Sequence, residues 1–142
     1  MGYTAPETKR YGFQLSTDLI NSNDTTVQID DTGLLIQTKQ YTLGLDIFTL
    51  SEINVQYDHR VTSSGSGELI TSYLYHNTTL LDTETHNDTA WENVSNDLTG
   101  INWTKGDTIT LKHIVANVAP VYKGEVKNFR IYASNTPFYD TS

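Results

Sequence analysis

The sequence predicts one all-β domain, an antiparallel jelly-roll β-sandwich of about eight to ten strands. Its 142 residues suit a single domain with a substantial core. Strand-favouring Thr and Tyr are common, turn-forming Asn, Asp, Ser and Gly are abundant, and helix formers are scarce. Several short runs alternate apolar and polar residues between these turn formers, as strands of a sandwich do.

The clearest alternation predicts a long, half-buried strand over residues 53–62. A Ser/Gly-rich turn follows it and predicts an antiparallel hairpin with a second strand over 68–76. The turn 76–78 then leads into a short strand over 79–85. Further strands are predicted at 25–29, 34–38, 45–50, 108–115 and 128–133, and the stretch 91–103 predicts one strand, a bend near 96–97 and the entry to a turn.

Three segments divide the chain. Residues 1–11 have no periodicity and predict an N-terminal arm, residues 12–133 form the predicted sandwich, and residues 134–142 form a C-terminal tail.

Composition excludes several classes of protein. Cysteine is absent, so the chain has no disulfide framework, thiolate zinc site or Cys nucleophile. The net charge of −8 argues against nucleic-acid binding, which needs a basic surface. No apolar run approaches the roughly 18–20 residues of a membrane span, and the first six residues lack the apolar core of a secretory signal. We therefore expect no nucleic-acid or membrane partner, and folding in a cytoplasm.

The titratable residues predict neither a metal site nor a cofactor. No two histidines are spaced as local zinc ligands, and His59 and His113 lie on apolar strand faces, where packed histidines are expected. The acidic pairs Asp30–Asp31 and Asp82 with Glu84 lack the spacing of a calcium loop and predict solvated turn carboxylates.

Catalysis has little support in the sequence, and we expect a protein that is not an enzyme. Ser-His-Asp chemistry lacks a nucleophile elbow. A glycosidase pair stays open, because separation across strands is invisible in a sequence. Few glutamates fall in the strand region: Glu52, Glu68, Glu84, Glu92 and Glu125.

Aromatic residues are the candidate binding groups. Trp91 and Trp103, with the tyrosines, have the chemistry of a sugar-stacking platform. Packing of both tryptophans in the core or at a subunit interface is the favoured alternative.

One pattern resembles a known superfamily. Residues 70–81 form a strand, an Asn-containing turn and a return strand; residues 98–111 contain a Lys-Gly-Asp turn at 105–107; an amphipathic strand over 126–133 closes the domain. This order resembles the tumour-necrosis-factor-like and complement-globular-head-like jelly rolls over residues 45–133. The resemblance implies a sandwich that assembles as a homotrimer, with Tyr73, Tyr75 and the closing strand as candidates for its interface.

The resemblance implies a function in a virus. Small acidic heads of this kind occur as bacteriophage virion components, and we expect a decoration or cement protein that binds the capsid exterior as a trimer and stabilises it. Its partners would be the major capsid protein or another virion protein, contacted through the arms: Tyr3, Pro6, Tyr11, Phe138 and Tyr139. The alternative is a receptor- or carbohydrate-binding head of a phage fibre or tail, with a glycan as partner.

Overall fold

The secondary structure of the described residues consists of β-strands joined by turns and loops. The computed structural model describes residues 10–11, 17–30, 32–44, 52–64, 67–116, 123–134 and 138–139. The strands are β1 (Arg10–Tyr11), β2 (Thr17–Asn23), β3 (Val27–Ile29), β4 (Ile36–Thr42), β5 (Glu52–Val61), β6 (Leu69–His76), β7 (Thr79–His86), β8 (Glu92–Leu98), β9 (Thr108–Ala116), β10 (Gly124–Ser134) and β11 (Phe138–Tyr139). The predicted strand over 45–50 lies outside the described residues.

Two antiparallel sheets pack as a sandwich. The five-stranded sheet has the order β2-β10-β5-β8, with β3 also paired to β10, and the four-stranded sheet has the order β4-β9-β6-β7. Successive strands alternate between the sheets along much of the chain, as in a jelly roll. The predicted all-β jelly-roll sandwich is confirmed.

Period-two alternation builds the core. On β5 the side chains of Ile53, Val55 and Tyr57 are buried while the intervening side chains are half-buried on the other side. β6, β9 and β10 contribute matching apolar side chains to the same interior. The predicted long strand is therefore confirmed, with one face in the core.

The predicted hairpin between β5 and β6 is wrong. These strands lie in opposite sheets, and each has two neighbours in its own sheet. The chain leaves the five-stranded sheet after β5, where Val61 N donates to the Asp88 carbonyl and Thr62 N donates to the Lys123 carbonyl. The Ser/Gly-rich segment predicts a turn by composition alone, and such a segment serves equally well as a crossover between sheets.

The two turns of the resemblance bind each other. The β6–β7 turn is confirmed, with Asn77 at a φ of 55°, a left-handed conformation that Asn tolerates. Asp107, at the end of the Lys-Gly-Asp turn, accepts hydrogen bonds from His76 Nε2 at 2.8 Å, Asn77 Nδ2 at 3.2 Å and Thr104 N at 3.0 Å. The Thr104 N–H is the main cause that lowers the pKa of Asp107, because it stabilises the charged form.

A buried lysine bridges the sheets at the β2–β3 break. β2 and β3 both pair with β10 and act as one interrupted strand of the sheet. Lys39 on β4 donates from Nζ to the carbonyls of Asn23 at 3.2 Å and Thr25 at 2.6 Å, and to Asn23 Oδ1 at 2.8 Å. These acceptors satisfy an ammonium in a side chain that is only 3% exposed.

Gly124 lets β10 approach the opposite sheet. An added Cβ would lie 2.6 Å from Val115 Cγ2 and 3.2 Å from Ile70 Cδ1. We expect Gly124→Ala to lower the free energy of unfolding by about 1–3 kcal/mol, because the core has no space for the methyl group. Chemical denaturation measures this effect.

Gly44→Ala is the matched control, since no atom lies within 4 Å of its added Cβ. We expect its stability to be unchanged or slightly raised. Equal destabilisation by both substitutions would show that the Gly124 contact does not limit packing.

Candidate functional site

The four candidate aromatics do not share one site. Trp103 is 2% exposed, and its ring centroid lies 4.2 Å from that of His76, so the indole sits in the core and offers no face to a ligand. Trp91 lies on the outer side of the five-stranded sheet. Tyr73 and Tyr75 alternate with buried residues of β6 and therefore lie together on the outer side of the four-stranded sheet.

Trp91 is engaged by cations of its own sheet. Arg60 Cζ lies 4.4 Å and Lys127 Nζ 4.2 Å from the ring centroid, within the range of cation–π attraction. Arg60 Nε also donates to Glu125 Oε1 at 2.8 Å. The indole thus belongs to an ordered polar cluster rather than to an open stacking platform.

Other polar side chains on this outer face also form hydrogen bonds with one another. Asp58 accepts from Asn93 Nδ2 at 2.9 Å on one oxygen and from Asn128 Nδ2 at 2.8 Å on the other. Arg130 makes two parallel hydrogen bonds of 3.0 Å to Asp24, which lower the pKa of that carboxyl. A ligand on this face would have to displace existing partners.

The outer face of the four-stranded sheet has a different character. We call it the tyrosine face and define it by side chains that register places on one side: Gln37, Gln40, Thr71, Tyr73, Tyr75, Leu80, Thr83, Thr85, Thr110, Lys112 and Ile114. None of these is a carboxylate, and Lys112 is the only charged member of this set. Tyr73 and Tyr75 are about 7 Å apart along the strand, as alternate residues of a β-strand are.

Polar side chains also face the interior at one edge. Asp82, Glu84 and His86 pair with Leu74, Ser72 and Ile70, whose side chains are buried, so all three share the core side of β7. The prediction of solvated turn carboxylates is therefore wrong for Asp82, whose Oδ2 is buried. Desolvation and the neighbouring Asp82 carboxyl raise the pKa of Glu84.

A Ser–His–Glu chain crosses the interior. Ser72 Oγ lies 2.6 Å from His59 Nδ1, and His59 Nε2 lies 2.6 Å from Glu92 Oε1. His86 stacks on His59, with ring centroids 5.3 Å apart and an interplanar angle of 11°. Desolvation lowers the pKa of His59 and favours neutral imidazole, which donates from Nε2 to Glu92 and accepts the Ser72 hydroxyl proton at Nδ1.

Ser72, His59 and Glu92 have the order of a Ser-His-acid triad, but no substrate can reach the serine. Ser72 and His59 are both 0% exposed, whereas a nucleophile must reach its substrate. The chain of hydrogen bonds therefore satisfies buried polar groups and links two sheets. The sequence missed it because pairing across strands depends on register, although the alternation correctly places His59 on the core side of β5.

His113 is the second interior histidine. It is fully buried on β9, and its Nδ1 lies 3.0 Å from Thr38 Oγ1. Burial lowers its pKa to about 3, so the folded protein holds it neutral through the physiological range. Both predictions of packed histidines are confirmed.

Metal and membrane sites can be assessed for the described residues only. Within these ranges, no group of three His, Cys, Asp or Glu side chains is placed to hold a metal ion. The same part of the chain contains no helix with the length and hydrophobicity to cross a bilayer.

The predicted arm contacts fall at the chain ends. Tyr3 and Pro6 lie outside the described residues. Tyr11 pairs with Phe138 and Arg10 pairs with Tyr139, so β1 and β11 form a two-stranded ribbon. The two terminal segments are thus adjacent at this ribbon.

Comparison with known proteins finds weak structural likeness to solved structures. No protein-family model matches the chain, and no curated protein matches it. Among solved structures, the chain is similar to the CBM36-1 domain of a multidomain xylanase from the hindgut metagenome of Trinervitermes trinervoides. The match has a TM-score of 0.36 and 11% identity, and covers 82% of this chain and 100% of that domain.

The buried His113 predicts acid-sensitive stability. In the unfolded chain His113 is protonated below about pH 6.5, whereas in the folded chain it stays neutral down to about pH 3. The free energy of unfolding is therefore highest above pH 6.5 and falls as the pH drops below it. The loss is about 1.4 kcal/mol per pH unit for this group. We expect His113→Asn to reduce the stability lost between pH 6.5 and 5.0 by about 2 kcal/mol in chemical denaturation.

Thr38→Val is the control, because it removes the hydrogen-bond partner and keeps the histidine. We expect lower stability at every pH with the pH slope of the original protein. An unchanged slope in His113→Asn would show that the pKa of His113 is nearly the same in the folded and unfolded chains.

Proposed function

We propose that this protein is a non-catalytic binding module whose tyrosine face binds a glycan. The observation that carries the proposal is the contrast between its two outer faces. The chain has 17 acidic residues, yet the tyrosine face has two neighbouring tyrosines on a central strand and no carboxylate among its defining side chains. Surfaces that are depleted of charge and rich in Tyr lose their water at low cost.

The chemistry of this face suits sugars. Phenol rings stack on the C–H faces of pyranose rings, and Thr hydroxyls and Gln amides both donate and accept hydrogen bonds to sugar hydroxyls. Thr83 is exposed and lies directly opposite Tyr73, whereas Thr110, opposite Tyr75, is only 4% exposed and is not a sugar contact. Since these side chains stand on paired strands, their spacing is fixed before a ligand arrives, which limits the entropy lost on binding.

The interior cluster supports a binding role over catalysis. Glu92 is held by His59, and Glu84 shares a hydrogen bond with Asp82. These carboxylates are engaged on the core side of β7 and β8, away from the tyrosine face. A glycosidase needs its acid and base on either side of the bound sugar.

Glycan binding is tested by removing the rings. We expect Tyr73→Ala and Tyr75→Ala each to weaken glycan binding by about tenfold, because an aromatic contact contributes about 0.5–1.5 kcal/mol beyond the area it buries. A glycan array identifies the ligand and calorimetry measures the affinity. Tyr132→Ala is the matched control, since Tyr132 is half-buried on the opposite outer face, beside Asn54.

Retained binding in both tyrosine variants, with binding lost in Tyr132→Ala, would move the site to the other sheet. Absence of binding to every glycan would overturn the proposal.

A second candidate is the trimeric phage decoration protein that the resemblance implies. The pairing of β1 with β11 favours it, because the two segments expected to contact a capsid lie side by side as one ribbon. In this role the tyrosine face would form the contact between subunits, in keeping with the implied interface at Tyr73 and Tyr75.

The assembly state separates the two candidates. As a decoration protein, the full chain should show by light scattering a mass three times its own 16.0 kDa at micromolar concentration. Tyr75→Arg would then give monomers, because an added charge would be buried in the interface. A monomeric wild-type chain contradicts the trimer, and a trimer that withstands Tyr75→Arg removes the tyrosine face from the interface.

A further inference from the structure

Lys112 breaks the neutrality of the tyrosine face. It lies on β9 directly opposite Tyr73, and its Nζ lies 4.9 Å from the ring centroid of Tyr75. The ammonium therefore lies beside the Tyr75 ring, on a side chain whose residue pairs with Tyr73. Within the described residues, the ion pairs do not include Lys112, and the defining side chains of the face contain no carboxylate.

An ammonium that forms no ion pair with any described side chain changes which ligand the face prefers. A neutral sugar stacked on the tyrosines would remove water from this charge and return only hydrogen bonds to hydroxyls. A ligand carboxylate beside the ring would instead form a charge-assisted hydrogen bond, which is about twice as strong as a neutral one.

The charge distribution of the chain agrees with this preference. A protein with a net charge of −8 repels anionic polymers as a whole. That repulsion is screened beyond about 8 Å at physiological ionic strength, so the groups at the contact decide affinity. On the other outer face, Arg60 and Arg130 are already bound to Glu125 and Asp24, and Lys127 stands directly opposite Asp58 with its Nζ beside Trp91. Lys112 has no carboxylate among the defining side chains of its own face and is the cation placed there for an incoming carboxylate.

We infer that the glycan is acidic, a uronate-bearing saccharide whose carboxylate binds Lys112 beside the Tyr75 ring while a pyranose ring stacks on Tyr73. This inference rests on the proposed function and deepens it by naming the class of sugar. Lys112 is then the residue that determines specificity, and the tyrosines supply binding that is common to acidic and neutral sugars.

Matched ligands test the inference. The full chain is titrated with uronate saccharides and their neutral counterparts: oligogalacturonate and its methyl ester, and hyaluronan oligomers before and after carboxyl reduction. We expect at least one acidic ligand to bind about tenfold more tightly than its neutral counterpart. Lys112→Gln should abolish that preference and leave the weaker neutral binding in place, and Lys112→Arg should retain most of it.

Lys127→Gln is the control, because it removes a cation from the opposite face and should leave the preference unchanged. Equal, Tyr73-dependent binding of acidic and neutral ligands overturns the inference and leaves the proposed glycan binding standing. A preference that survives Lys112→Gln also overturns it. No binding to any of the saccharides, or to a wider array, overturns both.

Discussion

Strand parity is the constraint on which the rest of this structure depends. Alternate side chains of each strand point into a shared interior. Whether a residue occupies an odd or an even position in its strand therefore decides whether its side chain lies in the core or at the surface. In a chain rich in polar residues, the same rule brings His59, Ser72 and His113 inside. A hydrogen bond from Ser72 on β6 to His59 on β5 pairs two of them across the sheets, and Thr38 Oγ1 lies 3.0 Å from Nδ1 of His113.

The same parity separates the two outer faces. Positions that alternate with the core residues of β5 and β10 bear charged and amide side chains, which pair with one another, as Arg60 does with Glu125. On β7 the carboxylates Asp82 and Glu84 occupy core-side positions, which leaves Thr83 and Thr85 beside the tyrosines. Inward-pointing charges on an edge strand also discourage pairing with a second chain. One arrangement thus protects the edge and clears the tyrosine face of negative charge.

The sequence predicts the strands in which apolar and polar residues alternate clearly. It does not predict strands or contacts that depend on which strands pair. Apart from one histidine each, His59 and His113, β5 and β9 have apolar residues at every second position, and the sequence predicts both strands. It does not predict β2, because Thr17–Asn23 has polar residues on both sides and is held by pairing with β10. The sequence does not distinguish Trp91 from Trp103. Their different environments follow from Arg60 and His76, which are distant in sequence. The Ser72–His59–Glu92 chain needs the register of three strands, which no single-chain pattern contains.

Register also links the core to the proposed site. Ser72 and Tyr73 are consecutive on β6, and they pair with His113 and Lys112 on β9, so one alignment sets the interior and the outer face together. A slip of one residue between these strands would carry Lys112 away from Tyr73 and expose His113. The turn contacts at the end of this pair oppose such a slip: Asn77 N donates to the Thr108 carbonyl, and Asp107 accepts from His76 and Asn77. The two turn motifs of the sequence therefore fix the strand register that sets the geometry of the proposed site.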